Sequence, residues 1–236
     1  MWEGTEKGVL QIALDNFYKN QQLGNSQHLN VVPLPIKQPP AKTPIVFCGF
    51  NPSYTEAVRR KEGTKLEWGN NKEFDKWIEN NDANKTQENG HYPVYFKGLE
   101  EIHKKLCEAF KIESNFFHVD IYPIRRKDSK KMKEFLNKNE KIAKIMNEEF
   151  KKMLQALYFS LMFINSIKAS EEMKEILNYD RCSEDRYNVF SNNDARRAII
   201  HYSGMISSTR NIDKFNKQRL IEDVKKTTNE EDIKFD

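Results

Sequence analysis

Four short apolar runs, each closed by a turn or a polar loop, limit this chain more than any other feature. They are Ile45-Val46-Phe47-Cys48, the stretch 116–123 ending in Tyr122-Pro123, the stretch 160–165, and Ala198-Ile199-Ile200 with its flanks Arg197 and His201. Runs this short, bounded by proline, glycine or polar residues, read as buried strands. Between them apolar residues recur every three or four positions. Leu99, Ile102, Leu106 and Phe110 form one stripe, and Ile142, Met146, Phe150, Met153 and Leu157 form another, within a helix expected over 139–157. A third helix is expected over 170–177 with Ser170 as its N-cap, and a closing one over 213–224. The order β-α-β-α-β-α-β-α calls for parallel strands, because each helical crossover carries the chain back to start the next strand in the same direction. The expected class is α/β, a three-layer α/β/α sandwich around a central four-stranded parallel sheet.

The flanks are organised differently. Residues 7–21 have helical spacing, with Gly24 as a stop, and 31–44 holds five of the eight prolines, which excludes helix and central strand. The segment 1–43 therefore reads as a helix and a proline-rich arm packed on a domain over 44–226, with 227–236 as a polar, frayed tail. The polar excursion 59–90 reads as an insertion or binding loop.

Composition narrows the function classes. The net charge of +4 permits a nucleic-acid partner without demanding one. Cys48, Cys107 and Cys182 are far apart and form no Cys-x-x-Cys pair, which argues against zinc ribbons and iron–sulfur clusters and for free thiols in a reducing, cytoplasmic setting. No signal-peptide pattern opens the chain, and no apolar run approaches the length of a membrane span. There is no glycine-rich phosphate loop and no His/Cys/Asp/Glu spacing suited to a metal, so neither metal nor cofactor is expected.

Chemistry is concentrated at two strand ends. One is Gly49-Phe50-Asn51-Pro52-Ser53; the other is His201-Tyr202-Ser203-Gly204-Met205-Ile206-Ser207-Ser208. In a parallel sheet both lie at the carboxyl edge, where ligands bind, so Asn51 and His201 are expected to converge across one crevice.

These motifs resemble those of the uracil-DNA glycosylase superfamily. The family's first motif, Gly-x-Asn-Pro or Gly-x-Asp-Pro after the first strand, matches Gly49-Phe50-Asn51-Pro52. Its second, His-Pro-Ser-x-x-Ser after the last strand, is similar to the loop from His201, with Tyr202 in place of the proline. Pro93-Val94-Tyr95-Phe96 looks like the lead into the family's helix after its base-stacking aromatic, and Asp120 stands where many members carry a base-reading Asn. The resemblance covers roughly 44–226.

It implies a monofunctional, monomeric DNA glycosylase that needs no cofactor and excises uracil or another damaged base. Asn51 would hold the attacking water and His201 would donate to the departing base. Gly49, Phe50, Pro52, Ser53, Phe96 and Asp120 would line the base pocket. Ser203, Gly204, Met205, Ile206, Ser207, Ser208 and Arg210 would engage DNA, with Met205 or Ile206 as the wedge. Lys214 and the cluster Arg125, Arg126, Lys127, Lys130, Lys131 and Lys133 would add salt-dependent affinity. The alternative from another class is a non-catalytic nucleic-acid- or partner-binding protein on the same scaffold.

Overall fold

Pro44 is where the sheet starts to assemble. Its carbonyl accepts hydrogen bonds from the N–H groups of Ser160 and Leu161, each at 2.9 Å, which sets the two strands that follow side by side. The computed structural model describes residues 32–33, 43–51, 92–122, 124–125, 129–157, 159–164, 166–177, 187–192, 195–201 and 214–235. The chain divides into two compact units.

One unit holds a five-stranded sheet. Its strands are β2 (Ile45–Gly49), β3 (His118–Asp120), β5 (Leu161–Ile164), β6 (Tyr187–Asn192) and β7 (Ala195–His201), in the spatial order β3-β2-β5-β7-β6. The four strands expected from the apolar runs are all present and form the parallel part of the sheet. β2 pairs with β5 and β5 with β7, both parallel; Ile45, Leu161 and Ala198 face each other in one row, and Phe47, Phe163 and Ile200 in another. β6 is an addition to the expected set, an edge strand antiparallel to β7. Its sequence YNVFSN interleaves polar and apolar residues, so it lacks the continuous run that marks the central parallel strands.

Three helices belong to this unit: α1 (Tyr92–Phe110), α4 (Ile167–Leu177) and α5 (Lys214–Glu230). Side chains alternate along a strand, so Ile45, Phe47, Leu161, Phe163, Ala198 and Ile200 share one face. They form one core with Leu99, Ile102 and Leu106 of α1 and Leu220, Ile221 and Val224 of α5. The opposite face, Val46, Cys48, Met162, Ile164 and Ile199, is equally closed to solvent.

α1 and α5 end alike. After each comes a residue in the left-handed region, Lys111 (φ 54°) or Asp232 (φ 51°), and then an isoleucine whose N–H reaches back five residues. Ile112 donates to Cys107 O at 3.0 Å and Ile233 to Thr228 O at 2.9 Å. This is the Schellman arrangement, which satisfies the last carbonyls and folds an apolar residue onto the helix end. Ile233 is consequently buried, and Phe235 stacks on Phe110 at 4.3 Å. Of the stretch 227–236, expected to fray, the described residues 227–235 instead extend α5 to Glu230 and close the core. At α4 the expected N-cap also moves: the hydroxyl of Ser166, not Ser170, accepts from Ala169 N–H (3.4 Å), and Ser170 lies one turn inside the helix.

The second unit contains β1 (Val32–Pro33), paired antiparallel with β4 (Ile124–Arg125), and two helices, α2 (Ser129–Lys138) and α3 (Glu140–Ala156). Asn139 joins the helices. Its side-chain Nδ2 donates to Phe135 O at 2.8 Å and caps α2, while its carbonyl accepts from Ile142 and Ala143 and opens α3. Of the expected stripe, Ile142, Met146, Phe150 and Met153 lie on α3 and are buried, and Leu157, one residue past the end of the helix, is buried too. The expected helix over 7–21, most of the proline-rich arm, and the excursion 59–90 lie outside the described residues.

Candidate functional site

The strand order places one position apart from the rest. From β2 the chain crosses by α1 to β3 on one side, and later strands build outward on the other side through β5 and β7. The carboxyl end of β2 therefore lies at the topological switch point, the crevice where open α/β sheets bind ligands. Gly49 closes the strand there, with the Cys48 thiol donating to its carbonyl at 3.6 Å.

Phe50 follows, buried at 4% exposure, and then Asn51, which is partly buried. Along the same edge Cys48, Ile164 and His201 occupy one row across β2, β5 and β7. With one strand between them, the Cα atoms of Cys48 and His201 sit roughly 10 Å apart. Phe96 lies in the second turn of α1, a helix that begins at Tyr92, so the stretch 93–96 is helix and not a lead into one. Proline at the second position is tolerated because its missing N–H would have no partner within the helix. Pro52, Ser53, Tyr202, Ser203, Gly204, Met205, Ile206, Ser207, Ser208 and Arg210 lie outside the described residues.

Asp120 ends β3. Loss of hydration pushes its carboxyl up to about 7, so it is largely the neutral acid below that pH. A neutral carboxyl offers one O–H donor beside its acceptor, the same pairing that an amide presents. His118, two residues earlier and on the same side of β3 by alternation, moves the opposite way. Burial lowers its imidazole to about 3, and its Nε2 is shut off from solvent although the residue as a whole keeps some surface. His118 belongs to no motif in the sequence, and only its place beside Asp120 marks it.

A second cluster lies on α1 and the segment that follows it. His103 and Cys107 stand four apart on α1, with Cys107 Sγ 3.7 Å from Nε2, and Ser114 Oγ lies 3.3 Å from the same Nε2. Phe47 and Phe116 flank the imidazole at 6.3 and 5.8 Å between ring centroids. Burial lowers the His103 pKa and raises that of Cys107, so both stay neutral and no thiolate–imidazolium pair forms. This is a satisfied core histidine rather than a nucleophile.

Among the described residues no group of three or more His, Cys, Asp or Glu could hold a metal ion, and no helix is long and apolar enough to cross a membrane. Compared with known proteins, the chain matches no family model, no curated protein and no solved structure.

Proposed function

We propose that this chain is a monofunctional DNA glycosylase on a three-layer α/β/α scaffold, hydrolysing the N-glycosidic bond of a deaminated or damaged base, with uracil the first candidate. The observation that carries the reading is the carboxyl edge of the sheet: Gly49-Phe50-Asn51 leaves it at the switch point, and His201 ends a strand in the same row as Cys48. The base must first leave the stack and enter a pocket, at a cost of a few kcal/mol. The bond between the sugar C1′ and the base nitrogen then breaks, its electron pair leaves with the base, and negative charge gathers on the base carbonyl oxygen. A neutral His201 donates a hydrogen bond to that oxygen. Asn51 orients the water whose oxygen joins C1′, and the water's proton balances the departing base. Phe50 and Phe96 contribute the aromatic walls, and backbone and serine groups from Ser53 and 203–208 hold phosphates.

Asp120 fits this scheme better than an ionised carboxylate would. As the neutral acid it donates to a base carbonyl and accepts from a ring N–H. Excision of uracil is therefore expected to decline as pH rises through about 7, and Asp120→Asn is expected to keep activity on the alkaline side. A pH profile of single-turnover rates on both proteins checks this; the same alkaline decline in Asp120→Asn would remove Asp120 from base recognition.

The deciding experiment incubates the full chain with single- and double-stranded oligonucleotides carrying uracil, hypoxanthine or xanthine and scores alkali-labile sites. His201→Ala is expected to lose about 100-fold or more, the usual effect of deleting one donor to a developing oxyanion, and Asn51→Ala about 100-fold, the order of loss when a reacting group is misplaced. Full activity in either variant withdraws that residue's role. Salt-dependent binding with no strand scission on any substrate would favour the binding-protein alternative.

A further inference from the structure

The charge of this chain is not spread evenly. Residues 125–156 hold eleven basic and five acidic side chains, and the rest of the chain is left with a slight acidic excess, so the whole net charge of +4 originates in this one segment. Most of it is the α2–α3 hairpin. Two of the hairpin's glutamates already have lysines: Glu134 pairs with Lys131 at 2.7 Å, and the buried Glu149 with Lys152 at 2.9 Å.

On α3 the distribution is directional. Ile142, Met146, Phe150 and Met153 form the buried stripe, while Lys141, Lys144 and Lys151 are exposed. At 100° per residue these three lysines fall within one quadrant opposite the apolar stripe, and they span about 15 Å of helix axis. Glu148 shares that quadrant, one turn from Lys144 and from Lys151, and lowers the positive charge of the row without cancelling it.

We infer that the lysine row of α3, Lys141, Lys144 and Lys151, is a sequence-independent docking surface for the phosphate backbone of nucleic acid. A row of flexible point charges matches a line of phosphates and carries no means of reading bases. The hairpin's aromatic residues, Phe135 and Phe150, are buried and present no stacking platform, so bases contribute little here. An anionic lipid surface is disfavoured, because an amphipathic helix binds lipid through an apolar face and the apolar face of α3 is already buried. The choice of nucleic acid among polyanions rests on the proposed glycosylase reading, but the surface needs none of that reading's chemistry.

The test is fluorescence anisotropy of an undamaged duplex with the full chain across a salt series. Each lost phosphate contact lowers the slope of log K against log salt by about 0.9, so Lys141→Gln/Lys144→Gln/Lys151→Gln should reduce it by about 2–3 and weaken binding about tenfold or more at 0.1 M salt. Lys141→Arg/Lys144→Arg/Lys151→Arg keeps the charges and should restore both quantities, while unchanged thermal melting shows that the fold is intact. An unchanged slope in the glutamine variant overturns the inference. So does tighter, equally lysine-dependent binding to phosphatidylserine vesicles or to polyglutamate. Base release from uracil-containing strands is scored separately: a chain that binds through these lysines yet releases no base refutes the glycosylase reading alone, and one that releases base with an unaltered slope refutes the surface alone.

Discussion

Phe47→Ala is expected to destabilise the protein by about 3–5 kcal/mol, the range for deleting a buried aromatic side chain from a core that cannot collapse around the loss. Phe47 is fully buried on β2, and its ring meets three others: Phe163 of β5, stacked at 5.4 Å, Phe116, also at 5.4 Å, and His103 at 6.3 Å. Aromatic pairs of this kind contribute about 0.5–1.5 kcal/mol each beyond the area they bury, which pushes this position toward the upper end of the range. Against a typical total stability of about 5–15 kcal/mol, that is more than half for a protein near the lower bound. The ring also ties the sheet to α1, since His103 lies on that helix and Phe116 in the segment that follows it. Urea unfolding should show a large fall in midpoint with an unchanged m-value, and Phe47→Leu, which keeps most of the volume, should cost less than about 2 kcal/mol. A Phe47→Ala protein within about 1 kcal/mol of the parent would mean that these contacts do not anchor the core.

The parallel core was legible because its central strands are apolar on both faces, so composition alone separates them from their surroundings. Ile45–Cys48 and Leu161–Ile164 are continuous apolar runs, and both are fully buried. The stripe of α3 was legible for the matching reason, a strict helical period. What escaped was structure whose cause lies outside its own window. β6 mixes Asn188, Ser191 and Asn192 with its apolar residues and has no long apolar run, and pairing with β7 makes it a strand. The ends of α1 and α5 carry no glycine; Lys111 and Asp232 take the left-handed turn because Ile112 and Ile233 have an apolar surface to return to. Ser166 outranks Ser170 as a cap only once the helix start is fixed. At the candidate site, the sequence places Asn51 and His201 at strand ends, but the switch point between β2 and β5 follows from strand order, which no local pattern encodes. The unusual chemistry of β3 was likewise hidden, since His118 and Asp120 become unusual only through burial.

That strand yields a paired expectation with opposite signs. Asp120, raised from 3.8 to about 7, contributes stability that is fully present below about pH 4 and is lost as pH rises through 7. His118, lowered from 6.5 to about 3, contributes stability that is present above about pH 6.5 and is lost as pH falls through 3. Between about pH 4 and 6.5 the folded strand carries a neutral acid and a neutral imidazole, whereas the unfolded chain carries a carboxylate and an imidazolium. Each state then binds one proton at this pair, so the two dependences cancel in the parent. Single substitutions unmask them. His118→Gln should lose stability relative to the parent as pH rises from about 4 to 6.5, and Asp120→Asn should gain over the same interval, each by on the order of 3 kcal/mol. His103, whose pKa is also lowered by burial, is common to all three proteins and drops out of the comparison. Urea midpoints at half-unit pH steps supply the measurement. Parallel curves for the three proteins would show that neither group is held neutral, and with that the donor role assigned to Asp120 would lose its physical basis.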